Sequence, residues 1–187
     1  MTAVATDTAA GLAGYLAAKR AAMAPYALHA SRHGVPEAVE PLRATARVAG
    51  RTGIREVRLR EFRLISDSGP DFAGFDLGPS SPELLLGSLS SCLAHTWLIH
   101  AALQDVAIES LEVDVSAQMQ AASAAFPHSS LPSYPFDFGY EVRVGYRGDP
   151  ANLDRVHEAV RERCPILALL SRATTVTGRV TVVEAGS

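Results

Sequence analysis

The chain has 187 residues, of which 48% are hydrophobic and 20% charged, and it carries two cysteines. That is the size and balance of one globular domain, or of one domain with an appendage; it excludes a disordered chain and a disulfide-stapled secreted scaffold. The net charge is −3 and the 17 Lys and Arg residues form no block, so nothing electrostatic argues for nucleic acid or an anionic membrane as partner.

Residues 1–40 are Ala-rich, with Leu12, Tyr15 and Leu16 at helical spacing and breaks at Gly34 and Pro36. They read as a helical extension of one or two helices, ahead of a main domain over 41–187. The opening MTAVATDTAAGLAGYLAAKR lacks the basic start and long apolar run of a secretory signal, which predicts a cytoplasmic protein with reducible thiols. His29 and His33 share a helix face, but the HExxH zinc pattern is absent and no metal is expected.

From Ala44 the reading is β. The stretch ATARV runs into the turn signal Ala49-Gly50-Arg51-Thr52-Gly53, which predicts a hairpin. The return strand, Glu56 to Ile65, changes phase between Val57/Leu59 and Phe62/Leu64, as a bulge near Glu61 would produce. A Gly-, Asp- and Pro-rich loop then leads to Ser80-Ser81-Pro82-Glu83. Ser80 and Glu83 have capping-box spacing; alternatively Ser81 caps with Pro82 at the first helical position. The helix that follows runs through Cys92 to about Gln104. Leu84 to Leu103 is long and apolar enough to span a membrane, but its Ser88, Ser90, Ser91, His95 and His100 favour a buried core helix.

Leu111 to Met119 alternates strictly and predicts a half-exposed strand. A loop from Ala121 to Phe138, holding Pro127, His128, Pro132 and Pro135, precedes a second alternating strand, Tyr140 to Tyr146. Gly148-Asp149-Pro150 opens another helix, whose apolar stripe is Leu153, Val156, Val160, Cys164 and Leu167. Pro165 should kink it, since its ring lacks an N–H and crowds the carbonyl of Arg161. Thr174 to Val183, rich in β-branched residues, reads as a closing strand. The class is α+β with antiparallel sheets. So apolar a central helix needs more cover than one modest sheet supplies, and a second subunit is expected to provide it.

Cys92 and Cys164 lie on two buried helices, and small residues (Gly87, Ser88, Ser90, Ser91) let a helix approach Cys92 closely. A peroxide-reducing thiol needs a charge-stabilising group, a resolving thiol and an apolar pocket. Cys92 and Cys164 supply the thiols; Arg51 is a candidate cation that would lower the Cys92 pKa, and Glu83 a candidate partner orienting it. Each has a plainer reading: the cysteines as small buried hydrophobes, Arg51 as a solvated turn residue, Glu83 as a helix cap.

The stretches DLGPSSPELLLGSLSSCLAHT and RCPILALLSRATTV resemble the two cysteine helices of the OsmC/Ohr family, and Val48-Ala49-Gly50-Arg51-Thr52-Gly53 is similar to the turn that bears that family's arginine. The resemblance covers about residues 44 to 184. It implies an OsmC-like fold: two long buried central helices with antiparallel β-sheets in an intertwined homodimer, with sites near the subunit interface. It implies an antioxidant, thiol-dependent peroxidase acting on organic hydroperoxides, in which Cys92 attacks the peroxide and Cys164 resolves. A dithiol, often a lipoyl group, would be the reductant, and no cofactor or metal would be needed. In the hydroperoxide-resistance branch the glutamate lies one residue further from the first cysteine than Glu83, where this chain has Pro82. Residues 1–40 and the Ala121–Phe138 loop have no family counterpart. Two other readings stay open: a non-enzymatic OsmC-like dimer that binds a small apolar ligand or senses redox state, and a hydrolase using Cys92 with His95.

Overall fold

The computed structural model describes residues 11–35, 37, 39–126, 130–172 and 174–182. Pro36, Pro127, His128 and Val183 lie outside these. Helix α1 spans Gly11–His33; a three-stranded antiparallel sheet follows, β1 (Thr45–Val48), β2 (Arg55–Leu59) and β3 (Phe62–Ser66). Then come the long helix α2 (Ser81–Leu103), a hairpin of β4 (Ser110–Gln118) and β5 (Phe136–Gly145), and the helices α3 (Pro150–Arg163) and α4 (Pro165–Leu170). The class is α+β with antiparallel sheets, as expected.

Helix α2 starts where the sequence places it. The Ser80 hydroxyl accepts from the Glu83 amide while the Glu83 side chain accepts from the Ser80 amide, a complete capping box. The helix passes through the middle of the core: Leu89, Leu93, Trp97, Ala101 and Ala102 are buried with Ile108, Val156, Val160 and Cys164. It is long and apolar enough to cross a membrane, yet here it packs against α1, β4, α3 and α4. Helix α1 is one helix, docked through buried Leu16 and through Arg20, which donates to the Ala102 carbonyl at 2.8 Å and pairs with Asp105. A cation there meets the free carbonyls of the α2 C-terminus.

Strand β4 alternates half-buried and exposed along its whole length, which sets Leu111, Val113 and Val115 against α2 and the core cluster. Strand β5 begins at Phe136, ahead of the expected Tyr140, because the register continues to Gln118↔Phe136 past an irregularity after Ser116.

Three local expectations are corrected. The phase change between Leu59 and Phe62 is a tight turn rather than a bulge: Arg60, at φ 55°, reverses the chain and β3 pairs back on β2, Leu59 opposite Phe62. Pro165 breaks the second helix rather than kinking it. Cys164 leaves the helical region at φ −70°, ψ 115°, and α4 starts anew with Pro165 in its first turn. Finally, 174–182 forms no strand among the described residues. Its Val176, Val180 and Val182 are about 90% exposed (88%, 93% and 91%).

The three-stranded sheet lies apart from this core. Among the described residues no helix packs on it beyond marginal contact, and Val48, Phe62, Leu64 and Ile65 are exposed. So is a face of α2 carrying Gly87, Ser88, Ser91 and His95.

Candidate active site

Cys92 and Cys164, the chain's two cysteines, meet across the α2 interface with the α3–α4 junction. The Cys164 thiol donates to the Cys92 sulfur at 3.4 Å. The break at Pro165 makes this possible. A continuous helix would carry the chain on past α2, whereas the extended Cys164 turns it so that Cys164 and then Ile166 face Cys92. Cys164 is wholly buried and Cys92 is half-buried. Both thiols are free, and the separation lets a small motion form a disulfide.

Burial dominates the electrostatics of Cys92 and pushes its thiol up. The Ile166 amide opposes this by donating to the sulfur, and the Thr96 hydroxyl does so to a smaller extent. Thr96, one helical turn on, is itself buried and donates to the Cys92 carbonyl at 2.8 Å; the same hydrogen can turn to the sulfur when it ionises. Cys164, whose sulfur lies against that of Cys92, raises the Cys92 thiol further. Burial is the largest of these effects, and the net direction within one chain is upward. The sequence predicts the opposite shift, from a nearby arginine, and among the described residues of one chain no cation acts on Cys92.

Arg51 stands exposed on the β1–β2 turn. Gly50, at φ 56°, shapes that turn, and the Ala49 carbonyl accepts from the Thr52 amide and hydroxyl. Glu83 is engaged at the start of α2, its Oε2 accepting from the Ser80 amide and hydroxyl, both at 2.7 Å. Ser80 is also what holds the Glu83 carboxyl below the usual range. Among the described residues no ion pair joins Glu83 to Arg51. Nine residues of α-helix put Glu83 about 13.5 Å along the axis from Cys92 and on the opposite side of the helix. The fold of one chain thus brings the thiols together and leaves Arg51 and Glu83 apart from them.

His95 is exposed and makes no hydrogen bond to Cys92 among the described residues, which gives the hydrolase reading no support. The rings of His29 and His33 lie 5.0 Å apart, but among the described residues no three His, Cys, Asp or Glu side chains gather as metal ligands do. The sequence analysis gives Thr96 no role; its signal is the i, i+4 spacing in CLAHT. It misses the Ile166 amide, which depends on the Pro165 break. It also misses a cluster beside the thiols, in which Tyr140 and His157 hydrogen-bond at 3.0 Å and the His157 ring stacks on Trp97 at 5.8 Å.

This pairing of a central-helix cysteine with a Cys-Pro junction, under antiparallel sheets, defines the class to which the chain belongs. A family model described as "OsmC-like protein" matches residues 74–178, more than half of the chain, and the protein belongs to the OsmC-like family. Helix α1 and the three-stranded sheet precede the matched residues. Among solved structures, the chain is similar to an OsmC-like protein from Mycoplasma pneumoniae, with TM-score 0.60 and 16% identity over 72% of this chain and 89% of that one. An OsmC-like protein of unknown function from Vibrio cholerae gives TM-score 0.58 and 14% identity over 70% and 94%. An organic hydroperoxide resistance protein from Legionella pneumophila gives TM-score 0.51 and 16% identity over 72% and 91%. At such identity the likeness is one of fold. No curated protein matches in sequence.

The Thr96 contact predicts a shift in thiol titration. In a Cys164→Ser background, the pH profile of Cys92 alkylation should move upward in Thr96→Val, by up to about one pH unit for one hydrogen bond lost from the thiolate. Thr96→Ser should leave it in place. An unchanged profile in Thr96→Val would remove Thr96 from the site.

Proposed function

We propose that the protein is a thiol-dependent peroxidase that reduces organic hydroperoxides, with Cys92 as the peroxidatic and Cys164 as the resolving cysteine. The observation that carries this reading is the 3.4 Å contact between a half-buried and a fully buried thiol, the chain's two cysteines. The Cys92 thiolate attacks one peroxide oxygen. An S–O bond forms, the O–O bond breaks, and the alkoxide leaves as an alcohol after taking a proton. Cys92 is then a sulfenic acid, and Cys164 attacks its sulfur. The S–S bond forms as S–O breaks, and the oxygen departs with the Cys164 proton as water. An external dithiol, a lipoyl group by family resemblance, returns both cysteines to thiols.

Burial works against the first step by raising Cys92, so the reading needs a cation from outside the chain. We assign it to Arg51 of the partner subunit in an intertwined homodimer, with Glu83 as the carboxylate that orients it. Residues 41–187 form the OsmC-like domain in this reading, 1–40 its extension, and the compartment is the cytoplasm. What supports the dimer is the uncovered three-stranded sheet, the exposed 174–182 segment and the exposed small-residue face of α2. The sheet and the 174–182 segment expose large apolar side chains, Phe62, Leu64, Val176 and Val180 among them, and extended exposed apolar surface marks interaction sites.

The rise in the Cys92 pKa favours one other reading: a non-enzymatic OsmC-like dimer that binds a small apolar ligand or senses redox state. Single-turnover kinetics with tert-butyl hydroperoxide and dithiothreitol separate the two. Cys92→Ser should abolish peroxide consumption. Cys164→Ser should turn over once and then accumulate sulfinic acid at Cys92. Arg51→Ala should slow the first step by at least about tenfold, the scale of one lost charge-assisted contact, without unfolding the protein. Wild-type rates in Cys92→Ser would decide for the binding dimer.

Sedimentation at micromolar concentration should give a dimer. A compact monomer at that concentration would contradict the assignment of Arg51 to a partner.

A further inference from the structure

Seven arginines fall between Arg43 and Arg63, against two acidic residues, Glu56 and Glu61, in a chain whose net charge is −3. They are spaced along the sequence, and strand pairing gathers them. Strands β1 and β2 pair with Thr45 opposite Arg58 and Arg47 opposite Glu56; β2 and β3 pair with Arg58 opposite Arg63. Paired residues share a face of the sheet and successive residues alternate. Arg47, Glu56, Arg58 and Arg63 therefore stand on one face of the three-stranded sheet. Ala46, Val57, Leu59, Phe62 and Leu64 stand on the other, which is the face suited to a partner subunit.

The basic face is concave. Arg47, Glu56, Arg58 and Arg63, with Thr45 and the turn at Ala49 and Gly50, line a pocket of about 510 Å³. Neither cysteine, nor Arg51, nor Glu83 lines it. Its charges do not cancel. Glu56 pairs with Arg63 at 3.3 Å. Arg58 donates through Nε to the Arg60 carbonyl at 2.9 Å, which steadies its guanidinium and leaves the terminal nitrogens without a partner among the described residues. Arg47 has neither an ion pair nor a hydrogen-bonded side-chain partner among the described residues. Arg58 also stands directly opposite Arg63, and like charges so placed on paired strands destabilise the pair. An anion seated among the guanidiniums relieves that repulsion.

We propose that this pocket binds a phosphate dianion, free or as the monoester of a small hydroxylated compound, held between Arg47 and Arg58. The two arginines are diagonal neighbours on adjacent strands, their backbones about 7–8 Å apart, so both long side chains can converge on one group. A guanidinium fork takes phosphate oxygens two at a time. A phosphate dianion offers enough oxygens and charge for both arginines, whereas a monocarboxylate satisfies one. A pocket of this size encloses a small group, which favours it over an extended polyanion such as nucleic acid. The site is independent of the thiol chemistry.

Calorimetric titration of the full-length protein at low ionic strength with glycerol phosphate, inorganic phosphate and acetate tests it. Both phosphates should bind, and acetate at least about tenfold more weakly. Tighter binding of the ester assigns the pocket to phosphate monoesters; equal affinity assigns it to free phosphate. Arg47→Gln and Arg58→Gln should each weaken phosphate binding at least about tenfold. Both side chains are exposed, so neither change endangers the fold. Arg60→Gln removes one positive charge from the same sheet, but that guanidinium lies over the Phe62 ring at 5.1 Å and outside the pocket. It should hold affinity within about twofold of wild type, as a screened, non-contacting charge does. Cys92→Ser should bind phosphate as the wild type does, which separates this site from the peroxidase reading. No binding of either phosphate, equal affinity for acetate, equal loss in all three arginine variants, or stronger binding of a single-stranded oligonucleotide than of either phosphate would each overturn the assignment.

Discussion

The contact between Cys92 and Cys164 rests on a local break in the backbone. Had residue 165 been a good helix former, α3 and α4 would be one rod and Cys164 a mid-helix residue. Proline removes an amide hydrogen from the helix and disfavours helical geometry at the residue before it. Cys164 is that residue, and it adopts the extended conformation. The short α4 then starts against α2 and brings the Ile166 amide to the Cys92 sulfur as well. A single substitution-sensitive junction thus positions both the second thiol and a donor for the first.

Helix α2 is the other half of that geometry. Its capping box fixes where it begins and Arg20 closes its far end. Between those points its buried face carries the core, while Gly87, Ser88, Ser91 and His95 form a face that the chain leaves open. The three-stranded sheet is open in the same way. The two features belong together: the residues around the thiols are packed, whereas the turn holding Arg51 sits on a sheet that its own chain does not cover. In the proposed dimer, a second copy supplies what one chain holds at a distance.

Much of this was legible in the sequence, and the failures have physical causes. The capping signal Ser80-Ser81-Pro82-Glu83, the alternation from Leu111 as far as Gln118 and the helical stripe Leu153, Val156 and Val160 are local patterns that the structure follows, while the stripe's continuation to Leu167 is interrupted at Pro165. The turn at Arg60 was hidden because a phase change in an alternating run looks the same for a bulge and for a two-residue reversal. Glycine, the usual mark of positive φ, is absent there. The 174–182 segment has strand composition without a strand, since composition records a preference for pairing and cannot say which chain supplies the partner. Within one chain burial sets the direction at Cys92, because burial acts on every thiol that is covered, whereas the lowering expected from Arg51 needs a contact that a sequence pattern cannot place in space.

The account turns on whether Cys92 and Cys164 act as a redox pair within one chain. The direct measurement is to treat the reduced protein with one equivalent of an organic hydroperoxide and map its peptides without reductant. The account predicts one linked species joining the Cys92 and Cys164 peptides of the same chain, with a loss of two hydrogens and no added oxygen. Recovery of Cys164 as a free thiol beside sulfinic acid at Cys92, or of disulfides only between subunits, would contradict it.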